Sequence, residues 1–128
     1  MAVRIVRLGT PRHPEEGLRI GTVRRPPRGV PKSQFASGNW YDVWFPVLAP
    51  SVETLKLGQA AATPAQWTAF TKKYRAEMSE PAASQILDVL AALSKSTDFS
   101  VGCYCEDEAH CHRSVLRDLL TARGATVA

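Results

Sequence analysis

Three things are scarce in these 128 residues: cysteine, long apolar runs, and acid in the first quarter of the chain. No apolar stretch approaches the ~20 residues that carry a helix across a bilayer, so no membrane association is expected. The opening MAVRIVRLG lacks the succession of basic, long apolar and small residues that marks a secretory peptide. The three cysteines cannot all pair within one chain, and Cys103 and Cys105 lie too close along a strand to bridge comfortably. Free thiols in a reducing cytoplasm are therefore expected. Residues 1–32 hold only two acids, Glu15 and Glu16, against eight basic side chains, and the remainder of the chain is slightly acidic. Such asymmetry points to a phosphate-bearing small molecule or nucleic acid as partner, or to a solvated basic face.

Hydrophobic residues make up 45% of the chain, enough at this length for one domain, residues 1–128, with a core of its own. VRIVRLG and LRIGTV alternate as strands do. Between them TPRHPEEG reads as a loop, and RRPPRGVPK then halts regular structure with three prolines and a glycine. Trp40, Val43, Trp44 and Val47 recur at helical spacing behind Ser37 or Asn39, which suggests a short helix kinked by Pro46. Residues 57–62 read as a connection of small residues.

Thr63 then caps a helix whose first residue is Pro64 and whose buried stripe is Trp67, Phe70, Tyr74 and Met78. Pro81 opens another, with Ile86, Leu87, Leu90 and Leu93 inward. DFSVGCYC is a strand with Phe99, Val101, Cys103 and Cys105 on one face, and CHRSVLRDLLTARG is a helix ended by Gly124. ATVA would begin a last short strand. Strands followed by helices on this scale predict an α/β fold: a single compact domain with a small, mostly parallel sheet of three to four strands and flanking helices.

The stretch VGCYCEDEAHCHRSVLRDLL gathers the chemistry. Cys103, Cys105, Cys111 and one of His110 or His112 could supply four zinc ligands, but the spacing is C-x-C-x5-C-H rather than two knuckles. Adjacent Cys111 and His112 are expected to diverge at a helix start, so no metal is expected. Cys103 at a strand end or Cys111 at a helix start would serve as a reactive thiol with His112 as proton carrier. Glu106, Asp107 and Glu108 would raise the thiol pKa unless they point away. Arg113 follows Cys111, Cys105 and Cys103 by two, eight and ten positions, which does not match the five- or six-residue spacing of cysteine phosphatase loops. For Arg113 itself a bridge to Glu106 or Asp107 is the plain structural expectation. The helix start would also bind an anion through its free amides, Arg113 and Ser114, with Arg24, Arg25 and Arg28 closing the pocket.

These residues also carry a resemblance. CxxxxxxxCHRSVLxxxL, from Cys103 to Leu120, resembles the signature of domain-of-unknown-function family 488. Arg24 with Arg28-Gly29, Trp44…Pro50-Ser51 with Leu55, and Trp67, Phe70, Tyr74 and Glu77 are similar to ordered segments of its YeaO-like branch. Val23-Arg24-Arg25-Pro26 departs from the Asp-Arg-Leu-Trp usual there, and Cys105 is an extra thiol. The resemblance implies a compact α/β domain and names neither substrate nor cofactor; no cofactor is expected.

The expectation is thus a cytoplasmic protein binding phosphate or a nucleotide through Arg24, Arg28, Arg113 and Ser114. In an enzymatic version Cys103 or Cys111 reacts and His112 moves the proton. The alternative is a non-enzymatic nucleic-acid or protein interaction module built on the basic N-terminal third, although aromatic and basic residues do not interleave along it.

Overall fold

Alternating side chains decide the architecture, because each of the three longer strands has one apolar face and one face of different character. In the computed structural model, which describes residues 1–128, strands β1 (Val3–Arg7), β2 (Leu18–Gly21), β3 (Val43–Trp44) and β4 (Phe99–Cys103) form one sheet. All neighbouring strands are parallel, in the order β1-β4-β2-β3. Val3 pairs with Phe99 and Ile20 with Val101, so the apolar positions of three strands lie in register.

Helices α1 (Val52–Ala60), α2 (Pro64–Met78), α3 (Pro81–Leu93) and α4 (His112–Ala122) complete the fold. Val3, Ile20, Phe99 and Val101 form a single core with Phe70, Tyr74 and Met78 of α2, Leu87 and Leu90 of α3, and Val115, Leu116 and Leu120 of α4. Each aliphatic side chain buried there contributes roughly 1.5–3 kcal/mol. No helix is long and apolar enough to cross a membrane.

Parallel sheets bury both faces, and here loops rather than helices cover the second. That face presents Arg19, Gly21, Ser100 and Gly102. The buried Arg19 pairs with Glu16 of the preceding loop, and Ser100 donates to the same carboxylate. Gly21 lets the Tyr41 ring lie directly on the strand, where any Cβ would collide with it. Gly21→Ala is therefore expected to destabilise the domain by about 1–3 kcal/mol in chemical denaturation, the range for overpacking a core.

Helix termini follow local chemistry. Thr63 and Gln66 form a reciprocal capping box around Pro64, and Ser51 accepts the amide of Thr54 to open α1. Two segments differ from the sequence reading. Residues 57–62 belong largely to α1, whose helical period is hidden because Val52 and Leu57 face outward, the polar Thr54 is the residue it buries, and Gly58 lies inside it. Residues 37–51 hold no helix. Asn39 takes a positive φ of 62°, Val43–Trp44 pairs as an edge strand, and Pro46 begins a single 3-10 turn. The third strand reading also shortens: β4 ends at Cys103, ahead of Cys105, and residue 127 makes only a bridge to Val3.

Candidate functional site

Cys103 is the last residue of β4, and its side chain points to the helix side of the sheet. The chain leaves through Tyr104 and Cys105, makes a 3-10 turn at Glu108–His110, and returns at Cys111 to open α4. Alternation keeps Cys103 and Cys105 on the same side, with Tyr104 opposite. The result is a thiol cluster between the C-terminal edge of a parallel sheet and a helix N-terminus. It lines a cavity of about 320 Å³ walled by Leu55 of α1 and Trp67 and Phe70 of α2.

The sulfurs of Cys103 and Cys105 are 3.8 Å apart, and the sulfur of Cys111 lies 3.9 Å from Nδ1 of His112. The donor atoms of Cys103, Cys111 and His112 all fall within 4.8 Å of one another. This corrects the expectation that Cys111 and His112 diverge. Cys111 has extended backbone (φ −134°, ψ 152°) and only His112 is helical, so the two side chains are not separated by a helical step. The set is chemically suited to a soft divalent cation.

The surroundings fix the state of the imidazole. Nε2 of His112 lies 2.7 Å from the carbonyl oxygen of Thr22, which can only accept; Nε2 therefore carries hydrogen and donates. In the neutral ring Nδ1 then carries the lone pair and faces the Cys111 sulfur. The Tyr74 ring packs edge-on to the imidazole at 5.4 Å, and Tyr74 O–H donates to Leu48 O.

The acidic side chains near the thiols are engaged elsewhere. Glu106 pairs with Arg7, Asp107 with His110 and Glu108 with Arg117. Arg113 bridges to no carboxylate; its Nη2 donates to Cys105 O at 2.6 Å, clamping the loop to the helix. Hydrogen bonds from Cys103 first, then from Cys111 and the charge of Arg113, push the Cys105 thiol down to about 3 against a burial effect that would raise it. The Cys103 thiol also lowers Cys111, while Cys103 itself is raised by its hydrogen bonds to Cys105 and Cys111 and by burial. The positive end of the α4 dipole also lowers Cys111.

A known family model matches nearly the whole chain. The chain belongs to domain-of-unknown-function family 488. The model described as the Active DUF488-N3 subclade covers residues 3–124. No curated protein and no solved structure matches the chain. The match spans every strand and helix, so the Cys-His-Arg-Ser turn sits in this family 488 member as part of the whole domain.

The remaining site residues expected from sequence fall in several places. Ser114 is at the cluster but donates its hydroxyl to Cys111 O. Arg24 turns to the segment that leads into α1, with Nε and Nη2 donating to Pro50 O and Ala49 O. Arg28 lines a separate cavity on the Tyr104 side of the sheet edge. Arg113 is 3% exposed, with its Nε buried and unpartnered. Thr22 joins the site without having been singled out, and Cys105, weighed from the sequence only as a zinc ligand, joins it as a thiol. The period-two alternation from Cys103 was the available signal for Cys105, whereas nothing in the sequence marks Thr22 as the acceptor for His112.

Proposed function

We propose that this family 488 protein is a small thiol-dependent enzyme whose reactive sulfur sits at the entrance of α4, acting in a reducing cytoplasm. The observation that carries this reading is the cluster of Cys103, Cys105 and Cys111 beside a histidine whose tautomer Thr22 fixes. The anion favoured by the helix entrance is then the enzyme's own thiolate, with Arg113 supplying charge from behind. Cys111 gives its proton to Nδ1 of His112, its sulfur bonds to an electrophilic centre of the substrate, and the departing group takes the proton back. Cys103 hydrogen-bonds the thiolates and keeps them in place. The Arg24…Arg28-Gly29 and Trp44…Pro50-Ser51 segments support placing the chain on the YeaO-like branch.

An interaction module built on the basic N-terminal third has less support. Arg4 pairs with Glu15, Arg7 with Glu106, Arg12 with Asp42 and Arg19 with Glu16, while Arg24 is spent on two carbonyls. A metal centre is the stronger second reading. A tetrahedron of ~2.3 Å metal–sulfur bonds has edges of about 3.8 Å, which is the Cys103–Cys105 separation of 3.8 Å.

Brief treatment with iodoacetamide at pH 6, after dialysis against a chelator, distinguishes them. Peptide mapping is expected to find label on Cys105 and Cys111 before Cys103. Label that enters only when the protein is unfolded would end the thiol reading. Elemental analysis of protein prepared without a metal-affinity step covers the other: about one zinc per chain, lost in Cys103→Ser, would replace a nucleophilic centre by a metal centre.

A further inference from the structure

On the opposite side of residues 103–105 from the thiols lies a larger cavity, of about 620 Å³. Its walls come from the C-terminal ends of three strands: Arg7 closes β1, Tyr104 follows β4, and Arg25 to Arg28 follow β2. Trp40 completes it from the loop that covers the second sheet face. The sequence shows no interleaving of aromatic and basic residues in its first third, yet folding places two aromatic rings among three arginines. No carboxylate lines the cavity, and of its arginines only Arg7 meets an acid, Glu106 at 3.6 Å.

The two kinds of wall are held differently. Trp40 and Tyr104 meet edge to face at 5.9 Å. Gly9, with a φ of 88°, allows the Trp40 ring to rest on the backbone, since a Cβ there would stand 2.8 Å from the ring. Tyr104 also donates its hydroxyl to Arg25 O, tying the arginine loop to the end of β4. Pro26 and Pro27 stiffen that loop. The side chains of Arg25 and Arg28 themselves have no hydrogen-bond or ion-pair partner and are exposed, so two guanidinium groups stand uncommitted beside an ordered aromatic surface.

We propose that this cavity binds a nucleoside monophosphate, with the phosphate on Arg25 and Arg28 and the base against Trp40 and Tyr104. Guanidinium groups hold phosphate through paired charge-assisted hydrogen bonds, and any base offers a π face to an aromatic wall. The volume falls within the roughly 300–1,000 Å³ of small-molecule sites, and the position at the carboxyl ends of parallel strands is where α/β sheets place ligands. A mononucleotide fits better than a nucleic-acid strand. Strand binding rests on many phosphate contacts, and most other arginines of the N-terminal third are already paired within the fold. The inference goes beyond the thiol reading and does not depend on it, since the two sites share no side chain.

Titration of the full chain by calorimetry and tryptophan fluorescence with adenosine and guanosine 5′-monophosphate tests it. Both nucleotides are expected to bind, with adenosine and inorganic phosphate each at least tenfold weaker. Arg25→Gln with Arg28→Gln should weaken nucleotide binding by at least about tenfold. Trp40→Phe should remove the quenching while preserving the fold, and Cys103→Ser should leave binding unchanged. Failure of both nucleotides to bind at millimolar concentration would overturn the proposal, as would equal binding of phosphate alone or indifference to the arginine pair. So would a single-stranded oligonucleotide that binds far more tightly than the nucleotides, with log affinity falling by more than about two per decade of salt.

Discussion

Alkylation of the metal-free, folded chain is expected to proceed at a rate that hardly changes between pH 5 and pH 8. An ordinary thiol titrates near 8.5, so about 0.3% of it is thiolate at pH 6, and its rate falls tenfold with each unit of acidification. Cys105 at about 3 is fully thiolate across that range. The absolute rate is a poor guide, because nucleophilicity falls with basicity. A drop of five to six units lowers intrinsic reactivity by roughly 10²–10³, which nearly cancels the gain in thiolate at pH 6. The shape of the profile therefore carries the information. Replacing the hydrogen-bond donor, Cys103→Ala, is expected to move the inflection upward by at least one unit. Arg113→Gln should do the same to a smaller extent, through loss of its charge near Cys105. A wild-type rate that climbs tenfold per unit up to pH 8 would mean that the cluster holds no stabilised thiolate.

How much of this could be read from the residues alone depended on whether local pattern or distant packing made the decision. β1, β2 and β4 were legible because their faces alternate, and α2 because Thr63 and Pro64 announce its start and Trp67, Phe70, Tyr74 and Met78 repeat at its period. The Trp40–Trp44 spacing imitated a helix, but the Trp44 indole N–H is taken by Val23 O and the backbone of residues 43–44 pairs with β2. Those partners are remote in sequence and leave no trace in a local window. α1 failed for the converse reason: it packs mainly on α2, so only a narrow stripe of it needs to be apolar.

The site divides in the same way. The Cys-His-Arg-Ser turn and the family it signals stood in the sequence, as did the shared face of Cys103 and Cys105. The convergence of Cys111 with His112 did not, because one extended residue at the helix cap changes the direction of its side chain by more than any spacing rule allows. Nor did the separation of the arginines. Arg24, Arg25 and Arg28 lie within five residues, yet Arg24 turns to the carbonyls of Ala49 and Pro50 while Arg25 and Arg28 remain free. Pro26 and Pro27 hold the short segment between them stiff, so neighbours in sequence end with different tasks.

Arg19→Met is expected to destabilise the domain by about 3–5 kcal/mol at pH 7, since it leaves a buried carboxylate without its cation. For a chain of this length that corresponds to a fall in melting temperature of about 10–20 °C. Arg19 donates to Glu16 through Nε and Nη2 and to Thr10 O and Asn39 O through Nη1, so one guanidinium pins two loops on the sheet. Burial alone would raise the Glu16 pKa, but hydrogen bonds from Arg19, Ser100 and the His13 amide outweigh it and leave the group below its ordinary value. A carboxyl lowered on folding contributes stability that is present above its unfolded pKa and lost as the pH falls through its folded pKa. The wild-type melting temperature should accordingly decline below about pH 4. In Arg19→Met the sign reverses: unpaired and buried, Glu16 would have a raised pKa, and protonation would relieve the variant as the pH falls. The stability gap between the two proteins is thus expected to narrow from pH 7 to pH 4, and Glu16→Leu combined with Arg19→Met should recover much of the loss. A cost under ~1 kcal/mol at pH 7 would place the pair with weak surface bridges, and a gap that stays constant in acid would show that the charge left on Glu16 is not what destabilises the variant.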